Sequence, residues 1–328
     1  MKLGIVGTGM IVRMVAPNLA SWGVGVTAVA GTPDSMDQVN ECADEYGAAG
    51  RYSDYHELIA DPNVDTVYVA VPNFLHYAVT EAALRAGKDV VCEKPLASNE
   101  REAARLAEIA KEEGRFLWEA VVTTRQPNFK LVRDELLSRI GTIKLVTVNY
   151  SQYSSRYDAF RAGEVLPAFD PAKAGGAIMD LGLYTLTYTL GLFGEPAAAA
   201  YRANIERGID TSGIIDLDFD GFRAVNVCAK DCGAPCVIQI QGTDGYIVSN
   251  SQPNLCGAVT LHLNDGTEET FDRSHPIMWE GEFREFLAQQ QAGDLDECYR
   301  QLDQSLMVSR VQNTVRREAG VIFPADEI

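Results

Sequence analysis

Positive charge is scarce in this sequence, which has 28 lysines and arginines against 46 aspartates and glutamates and a formal net charge of −18. Because nucleic-acid phosphates are bound by cationic surfaces, we expect no nucleic-acid partner. Long apolar runs are also missing, and none approaches the ~20 residues that a membrane-spanning helix needs. We therefore expect a globular protein without a membrane partner, whose acidity favours solubility but identifies no ligand.

Histidines and cysteines are few and scattered, with 4 histidines and 7 cysteines in 328 residues. Cys228, Cys232 and Cys236 are evenly spaced, but zinc knuckles usually use gaps of about two residues and need a fourth ligand. We interpret these cysteines as buried thiols beside a hairpin turn and predict no metal site. Unpaired thiols are typical of a reducing compartment, and the N-terminal residues lack the features of a signal peptide, so we expect a cytoplasmic protein.

Strands and helices alternate along the first part of the chain. Predicted strands cover 2–6, 25–30, 65–71, 88–92 and 115–122, and predicted helices begin at Pro33 and cover 77–86 and 99–113. Short connections between alternating strands and helices force parallel strands and right-handed crossovers. We therefore predict an α/β N-terminal Rossmann domain, with a doubly wound parallel sheet, over residues 1–122.

The pattern changes after residue 122, where hairpin signals such as Asp220-Gly221 and Asp244-Gly245 join alternating strands. Predicted strands cover 142–153, 214–220, 222–228, 237–241, 246–249 and 258–263, and predicted helices cover 131–139, 178–190, 281–291 and 297–318. Alternating apolar and polar residues indicate a sheet with one buried and one wet face. Residues 123–328 are therefore predicted to form an α+β domain with a large, mostly antiparallel open sheet.

The first predicted strand runs into the turn Gly7-Thr8-Gly9-Met10-Ile11 and then into a helix. In dinucleotide-binding sheets the first glycine permits a sharp turn, and the second lets the backbone approach a pyrophosphate that the helix N-terminus stabilises. Val12 stands where such turns have a third small residue, so the helix could sit off the strand and bind the dinucleotide more weakly. The turn alone also occurs without a ligand.

Two further strand ends are expected at the same edge of this sheet. Val71-Pro72-Asn73, with His76, lies at the end of the predicted strand 65–71, where a nicotinamide would lie, and Glu93-Lys94 ends the predicted strand 88–92. A lysine there can polarise a substrate oxygen or lower the pKa of a neighbouring acid. The alternative is a solvated strand-end lysine that Glu93 neutralises.

Gly175-Gly176 opens a helix in the second domain, and Asp180 and Tyr184 follow at a spacing of four residues, which puts them on one face. A lysine ammonium nearby would lower the pKa of a tyrosine, because opposite charge stabilises the phenolate, and would make it an effective proton donor near neutral pH. A core helix with a structural tyrosine is an equally good interpretation of the same pattern.

Together these motifs resemble, nearly end to end, those of the oxidoreductase family named for glucose–fructose oxidoreductase and inositol dehydrogenase (Gfo/Idh/MocA). The matching segments are residues 4–9, Val71-Pro72-Asn73 with His76, Glu93-Lys94-Pro95, Gly175-Gly176 with Asp180 and Tyr184, residues 241–245 and Ser309-Arg310-Val311. The resemblance implies that Lys94 is catalytic and that residues 123–328 bind substrate and mediate oligomerisation. Inositol-type members have histidine at position 184. Tyrosine there is similar to dimeric dihydrodiol dehydrogenase and xylose dehydrogenases, in which lysine and tyrosine assist hydride transfer.

The resemblance implies an NAD(P)-dependent dehydrogenase or reductase that acts on CH–OH groups of a sugar-, polyol- or diol-like substrate. Tyr184 is the expected proton donor, Lys94 holds the substrate oxygen, and Asp180 orients substrate hydroxyls or the lysine. The expected cofactor contacts are Gly7, Thr8, Gly9, Met10, Ile11, Gly31, Thr32, Val71, Pro72, Asn73, His76, Glu93 and Lys94. The alternative is a catalytically silent dinucleotide-binding sensor, against which the presence of both Lys94 and Tyr184 argues.

The choice between NAD and NADP stays open at this point. The second strand ends in Gly31-Thr32, which is neither the acid that NAD sites often place there nor the arginine of many NADP sites. No lysine or arginine occurs from Met14 to Gly50, which favours NAD. Against this, glucose–fructose oxidoreductase-like members also end this strand with glycine and use NADP, and Arg51 could reach the site.

The predicted strands between residues 142 and 263 leave one sheet face that the few remaining helices cannot cover. An uncovered apolar face usually marks an interface. We therefore predict a homodimer or a dimer of dimers.

Overall fold

The computed structural model describes residues 1–327, which form two compact units. The first unit consists of Met1–Ala120 and Glu282–Leu306, and the second of Val121–Gly281 and the chain from Met307 onward. No helix within residues 1–327 is both long and apolar enough to cross a membrane.

The strands and helices are as follows. The strands are β1 (Lys2–Val6), β2 (Gly25–Ala30), β3 (Gly50–Tyr52), β4 (Thr66–Val69), β5 (Asp89–Glu93), β6 (Leu117–Ala120), β7 (Ile143–Ser151), β8 (Ala198–Glu206), β9 (Ile209–Phe219), β10 (Phe222–Ala229), β11 (Val237–Gly242), β12 (Gly245–Ser249), β13 (Val259–Leu263) and β14 (Glu268–Phe271). The α-helices are α1 (Met10–Leu19), α2 (Met36–Tyr46), α3 (Tyr55–Ala60), α4 (His76–Arg85), α5 (Glu100–Glu113), α6 (Pro127–Leu131), α7 (Tyr157–Arg161), α8 (Leu183–Phe193), α9 (Glu280–Ala292) and α10 (Leu295–Glu318).

The sheet of the first unit has six strands in the order β3-β2-β1-β4-β5-β6. All its neighbouring strands are parallel. The predicted doubly wound Rossmann domain is therefore confirmed. Its order reverses between β1 and β4, and ligands of such sheets bind outside the carboxyl ends of the strands at this switch point.

Helix α5 shows how the sequence determines an element boundary in the first unit. The side chain of Asn99 caps the helix by accepting a hydrogen bond from the backbone N–H of Glu102 at 2.9 Å. The Glu102 carboxylate in turn accepts from the backbone N–H of Ser98 at 3.0 Å. This reciprocal capping is the pattern that the sequence predicts.

The segment Glu282–Leu306 belongs to the first unit, although in sequence it comes after Val121–Gly281 of the second unit. The Trp118 indole N–H donates to the Gln289 side chain at 2.6 Å, and the rings of Phe283 and Tyr68 meet edge to face at 5.6 Å. The predicted division at residue 122 assumes that each domain is continuous in sequence, and it places this segment in the other domain. The roles assigned to residues 1–122 and 123–328 stay predictions.

The sheet of the second unit has eight strands in the order β14-β13-β12-β11-β7-β10-β9-β8. Its neighbouring strands are antiparallel, apart from the parallel pair of β7 and β10. The predicted large, mostly antiparallel sheet is confirmed. Helix α8 lies on the face that contains Val146 and Val148, which are buried in the core of this unit.

Candidate active site

The glycine turn after β1 is imposed by the close approach of β1 and β4. Gly7 has a φ of 119°, and a Cβ atom there would lie well under 3.0 Å from the carbonyl oxygen of Ala70. Gly9 forms the N-cap of α1, and a Cβ atom there would meet nothing within 4 Å. Within residues 1–327, no side chain caps α1 and no acid lies in its first turn. This helix N-terminus therefore suits an anionic pyrophosphate.

Val12, which departs from the small residue of the motif, is completely buried on the inner face of α1. The helix still begins at Met10, directly after the turn. Valine is therefore accommodated in the core of the first unit without loss of the helix start. Whether it weakens dinucleotide binding stays a prediction.

His76 joins the two strand-end loops that contain the other predicted cofactor contacts. Its Nδ1 lies 2.7 Å from the carbonyl oxygen of Pro95, and its Nε2 lies 2.9 Å from that of Val71. Burial lowers the pKa of His76, although the two carbonyls partly oppose this shift. The ring therefore holds the loop after β4 against the loop after β5, and both of its nitrogens face backbone.

The end of β5 rests on two buried groups that the sequence analysis did not identify. The Tyr68 hydroxyl donates to Glu93 Oε1 at 2.5 Å, and burial raises the pKa of Glu93. Glu119 Oε1 accepts from the backbone N–H of Leu96 at 2.9 Å. Lys94, which is half-buried, lies between these supports and is joined to Pro95 by a cis peptide bond. An acid within the apolar strand β6 was the available signal for Glu119.

The remaining predicted cofactor residues of the first unit are all partly or fully accessible. They are Thr8, Met10, Ile11, Gly31, Thr32, Val71, Pro72 and Asn73. At the end of β2, the backbone N–H of Thr32 donates to the Ser35 hydroxyl at 2.8 Å. Arg51 is paired with Asp44 at 2.5 Å, and Arg13 with Glu41 at 2.9 Å. Both arginines already have carboxylate partners, and the choice between NAD and NADP remains undecided.

In the second unit, Gly175-Gly176 makes room for a buried acid. Gly176 has a φ of 109°, and a Cβ atom there would clash with Asp210 Oδ1. Asp210 Oδ2 accepts from the backbone N–H of Ile178 at 2.7 Å and from the Tyr201 hydroxyl at 2.8 Å. Burial raises the pKa of Asp210. The buried Asp210 side chain therefore explains, on structural grounds alone, why a glycine stands at position 176.

Asp180 and Tyr184 lie where a π-helical turn, Ile178–Gly182, passes into α8. Wide turns of this kind occur frequently at functional sites. Asp180 Oδ2 accepts from the Lys230 ammonium at 2.6 Å, and the Tyr184 ring lies 6.0 Å from the Tyr150 ring. The sequence analysis did not identify Lys230, although a lysine directly after an apolar strand was the same signal that identified Lys94.

The cysteines form no disulfide among the described residues, and all seven are free thiols. Cys228 is buried, but Cys232 is exposed because it lies in the loop between β10 and β11. The prediction of three buried thiols is therefore wrong for Cys232, and Cys236 is only half-buried. Within residues 1–327 no group of three or more His, Cys, Asp or Glu residues could hold a metal ion.

A parallel sheet with a glycine turn at its switch point is characteristic of the class of dinucleotide-binding proteins. Comparison with protein families extends this class to an enzyme family. Residues 1–121 match the Gfo/Idh/MocA model described as an oxidoreductase family with an NAD-binding Rossmann fold, and residues 135–248 match the Gfo/Idh/MocA C-terminal domain. The chain belongs to the Gfo/Idh/MocA oxidoreductase family.

Curated relatives cover most of the chain. The scyllo-inositol 2-dehydrogenase (NADP(+)) of Bacillus subtilis is 36% identical over 301 residues, which are 89% of this chain and 89% of that protein. A D-xylose 1-dehydrogenase (NADP(+)) of Haloferax volcanii is 30% identical over 283 residues, which are 83% of this chain and 84% of that protein. These relatives confirm the predicted class, an NAD(P)-dependent oxidoreductase, and count against a silent sensor.

Solved structures share the fold. The 3-ketoreductase KijD10 of Actinomadura kijaniata, in complex with NADP and TDP-benzene, superimposes with a TM-score of 0.85 at 23% identity and covers 98% of this chain and 99% of that chain. At this identity the likeness shows the fold alone.

Proposed function

We propose that the protein interconverts a secondary alcohol or hemiacetal and the matching carbonyl on a sugar-, polyol- or diol-like substrate. The names of the relatives support this substrate class, since they include an inositol and a xylose dehydrogenase. The observation that carries the proposal is the buttressed end of β5, where Lys94 lies in a loop held by His76 and Glu119. Such support is expected where a cation must keep one position.

The nicotinamide dinucleotide would bind across the carboxyl edge of the first sheet. Gly7, Thr8, Gly9, Met10 and Ile11 would surround its pyrophosphate at the N-terminus of α1. The second strand end, Gly31-Thr32, would receive the adenosine ribose, and the loops of Val71–Asn73 and Glu93–Lys94 would receive the nicotinamide. When bound, the cofactor accepts or supplies the hydride.

Within this proposal, Lys94 and Tyr184 act on the reacting oxygen of the bound substrate. Lys94 holds the oxygen, and Tyr184 donates a proton to it during reduction. Asp180 orients neighbouring substrate hydroxyls, since a carboxylate accepts two such hydrogen bonds readily. This division of work assigns one task to each of the three side chains.

Calorimetry with NAD, NADH, NADP and NADPH tests the cofactor, and a spectrophotometric screen of inositols, pentoses, hexoses and trans-diols tests the substrate class. We expect one dinucleotide pair to bind at micromolar concentrations and at least one polyol or sugar to be oxidised. Failure to bind any dinucleotide would overturn the proposal. Binding without turnover on any CH–OH substrate would favour the sensor.

We also propose a cytoplasmic homodimer or dimer of dimers. Seven free thiols agree with a reducing compartment. One face of the second sheet leaves apolar side chains accessible, such as Leu145 and Ile214, which are 49% and 43% exposed. An accessible sheet face that contains apolar side chains between polar ones is suited to an isologous interface.

A further inference from the structure

Lys230 is a buried cation that the proposed mechanism does not use. It follows β10 directly, and its side chain is 5% exposed. Its ammonium lies 2.6 Å from Asp180 Oδ2 and 5.3 Å from the centroid of the Phe169 ring. Its backbone N–H donates to the carbonyl of Thr211 at 2.8 Å, and its carbonyl accepts from the N–H of Ser154 at 2.9 Å. Backbone and side chain are both fixed.

Other acids near Lys230 have neutral donors of their own. Asp210 accepts from Tyr201 and from the backbone of Ile178. Asp231 accepts from the hydroxyls of Thr211 and Ser212, both at 2.8 Å. Burial acts to raise the pKa of Asp231, but these hydrogen bonds outweigh it and lower the pKa. Buried Cys228 also faces the cation, and burial raises the pKa of this thiol. The direct ion pair of Lys230 is with Asp180.

The ion pair is asymmetric in a way that stability does not explain. The side chain of Lys230 is 5% exposed, whereas that of Asp180 is 38% exposed. Desolvating an ammonium is unfavourable, and an apolar side chain of similar volume often stabilises a core as well or better. A buried cation paired with a half-exposed carboxylate instead fixes the position of that carboxylate and favours its ionised form.

We infer that Lys230 is a positioning residue for the reaction, whose ammonium holds the Asp180 carboxylate in the orientation that receives substrate hydroxyls. The inference rests on the proposed function for the role of Asp180. Without the ammonium, the Asp180 side chain loses the hydrogen bond and the positive charge that Lys230 supplies. Misplacing a substrate-orienting group by about 1 Å can cost on the order of 10²-fold in rate.

The test compares Lys230→Met with Lys230→Arg, and uses the exposed residue Lys144 as a matched control in Lys144→Met. On an identified substrate, Lys230→Met should lower kcat/KM by ~10–100-fold and move the acid limb of its pH profile to higher pH. Lys230→Arg should restore most of the activity, and Lys144→Met should match the wild type. Dinucleotide affinity, measured by calorimetry, should be unchanged in all three variants.

A measurement without substrate separates this inference from the proposed function. The side-chain carboxyl carbons of aspartate are labelled with ¹³C and observed by NMR. The Asp180 signal is assigned by its loss in Asp180→Asn. In Lys230→Met the chemical shift of this signal should titrate at higher pH than in the wild type, because the carboxylate has lost a neighbouring positive charge. If Asp180 titrates at higher pH in Lys230→Met but the wild type turns over no substrate, Lys230 does set the state of Asp180, and the proposed function is wrong.

An Asp180 signal that titrates identically in wild type and Lys230→Met would overturn the inference. So would a pH profile that Lys230→Met leaves unchanged. If Lys230→Met fails to fold, Lys230→Gln keeps an N–H donor without the charge, and the same two outcomes decide.

Discussion

Three side chains divide the proposed chemistry at the scale of single residues. The residues on either side of Lys94 are fixed by hydrogen bonds. The Tyr68 hydroxyl donates to Glu93, and Glu119 accepts from the backbone N–H of Leu96. Tyr184 lies one turn after Asp180, at the junction of the π-helical turn with α8. A lysine at a strand end and a tyrosine on a helix are common in any protein. What distinguishes Lys94 is the network of hydrogen bonds around its loop, and what distinguishes Tyr184 is its place directly after the π-helical turn.

Removing the Tyr184 hydroxyl tests the proton donor. A positioned general acid contributes about 10²–10⁴ in rate, so Tyr184→Phe should lower kcat by that order and leave dinucleotide affinity nearly unchanged. Lys94→Ala should cost at least as much, because it removes both the oxygen ligand and the cation. The measurement is steady-state kinetics on an identified substrate, with calorimetry for the cofactor. Full activity of Tyr184→Phe would make the tyrosine structural and leave Lys94 as the candidate acid.

His76 predicts a pH dependence of stability. Burial lowers its pKa below the ordinary value of 6.5, so the folded protein resists protonation that the unfolded chain accepts. Above pH 6.5 both states are neutral at this residue, and it adds no pH dependence. Below that pH the unfolded state binds the proton more readily, so stability is lost as the pH falls.

Urea unfolding of wild type, His76→Asn and His56→Asn between pH 5 and 8 measures this effect. The wild type and the exposed-histidine control His56→Asn should lose stability below pH 6.5 by up to ~1.4 kcal/mol per pH unit from this residue. His76→Asn should lack that component. A wild type that gains stability relative to His76→Asn as the pH falls would show instead that His76 is protonated and donates to both carbonyls.

Elements were predictable where local rules decide them. The boundaries of β2 and α5 follow from apolar runs and from the cap at Asn99. Strands β3, β8 and β14 were missed, and all three lie at sheet edges. Strand β8 begins with Ala198–Ala200, which has little β-propensity, and β14 is polar and short. Their strand structure comes from pairing with β9 and β13, which only the folded chain provides.

At the scale of an element, we predict that the glycine turn before the π-helical segment Ile178–Gly182 tolerates no side chain at Gly176. Gly176→Ala adds a Cβ atom at a φ of 109° and against Asp210 Oδ1, so it should displace the buried acid that caps Ile178. Left-handed strain costs about 1–3 kcal/mol, and a disturbed buried acceptor costs about as much again. Gly208→Ala is the matched control, because Gly208 has a φ of 80° and nothing within 4 Å of the added atom.

Thermal unfolding should therefore show a clearly larger loss of stability for Gly176→Ala than for Gly208→Ala. Equal losses would mean that Asp210 adapts to the added atom. Activity should also fall more in Gly176→Ala, because Asp180 lies two residues after the N–H group that Asp210 accepts from.

The candidate site as a whole was only half predictable from sequence. The glycine turn, Lys94 and Tyr184 stand in recognisable motifs, so residue types and spacing suffice to find them. Tyr68, Glu119 and Lys230 have no motif, because their partners lie 25, 23 and 50 residues away along the chain. The position of Glu282–Leu306 with the first unit is likewise a tertiary effect, which depends on contacts such as Trp118 with Gln289.

At the scale of the whole molecule, the second sheet predicts self-association. Its accessible face contains a row in which Ile214, Val227, Asn149 and Val237 lie side by side on neighbouring strands. The next row contains Val225 and Val248. Specific interfaces generally bury more than about 1,000 Å², which a face of eight strands can supply.

Val227→Glu should disrupt this interface, because it places a carboxylate between Ile214 and Asn149 at the centre of the face. Desolvating an unpaired charge costs several kcal/mol, and a second copy would bring the same charge to the interface. Light scattering at micromolar concentration should give a multiple of 35.8 kDa for the wild type and a shift toward 35.8 kDa for Val227→Glu. Val165→Glu, at an exposed position outside the sheet, should keep the wild-type mass. A wild type that is monomeric, or a Val227→Glu variant that stays fully associated, would show that this face is not the interface.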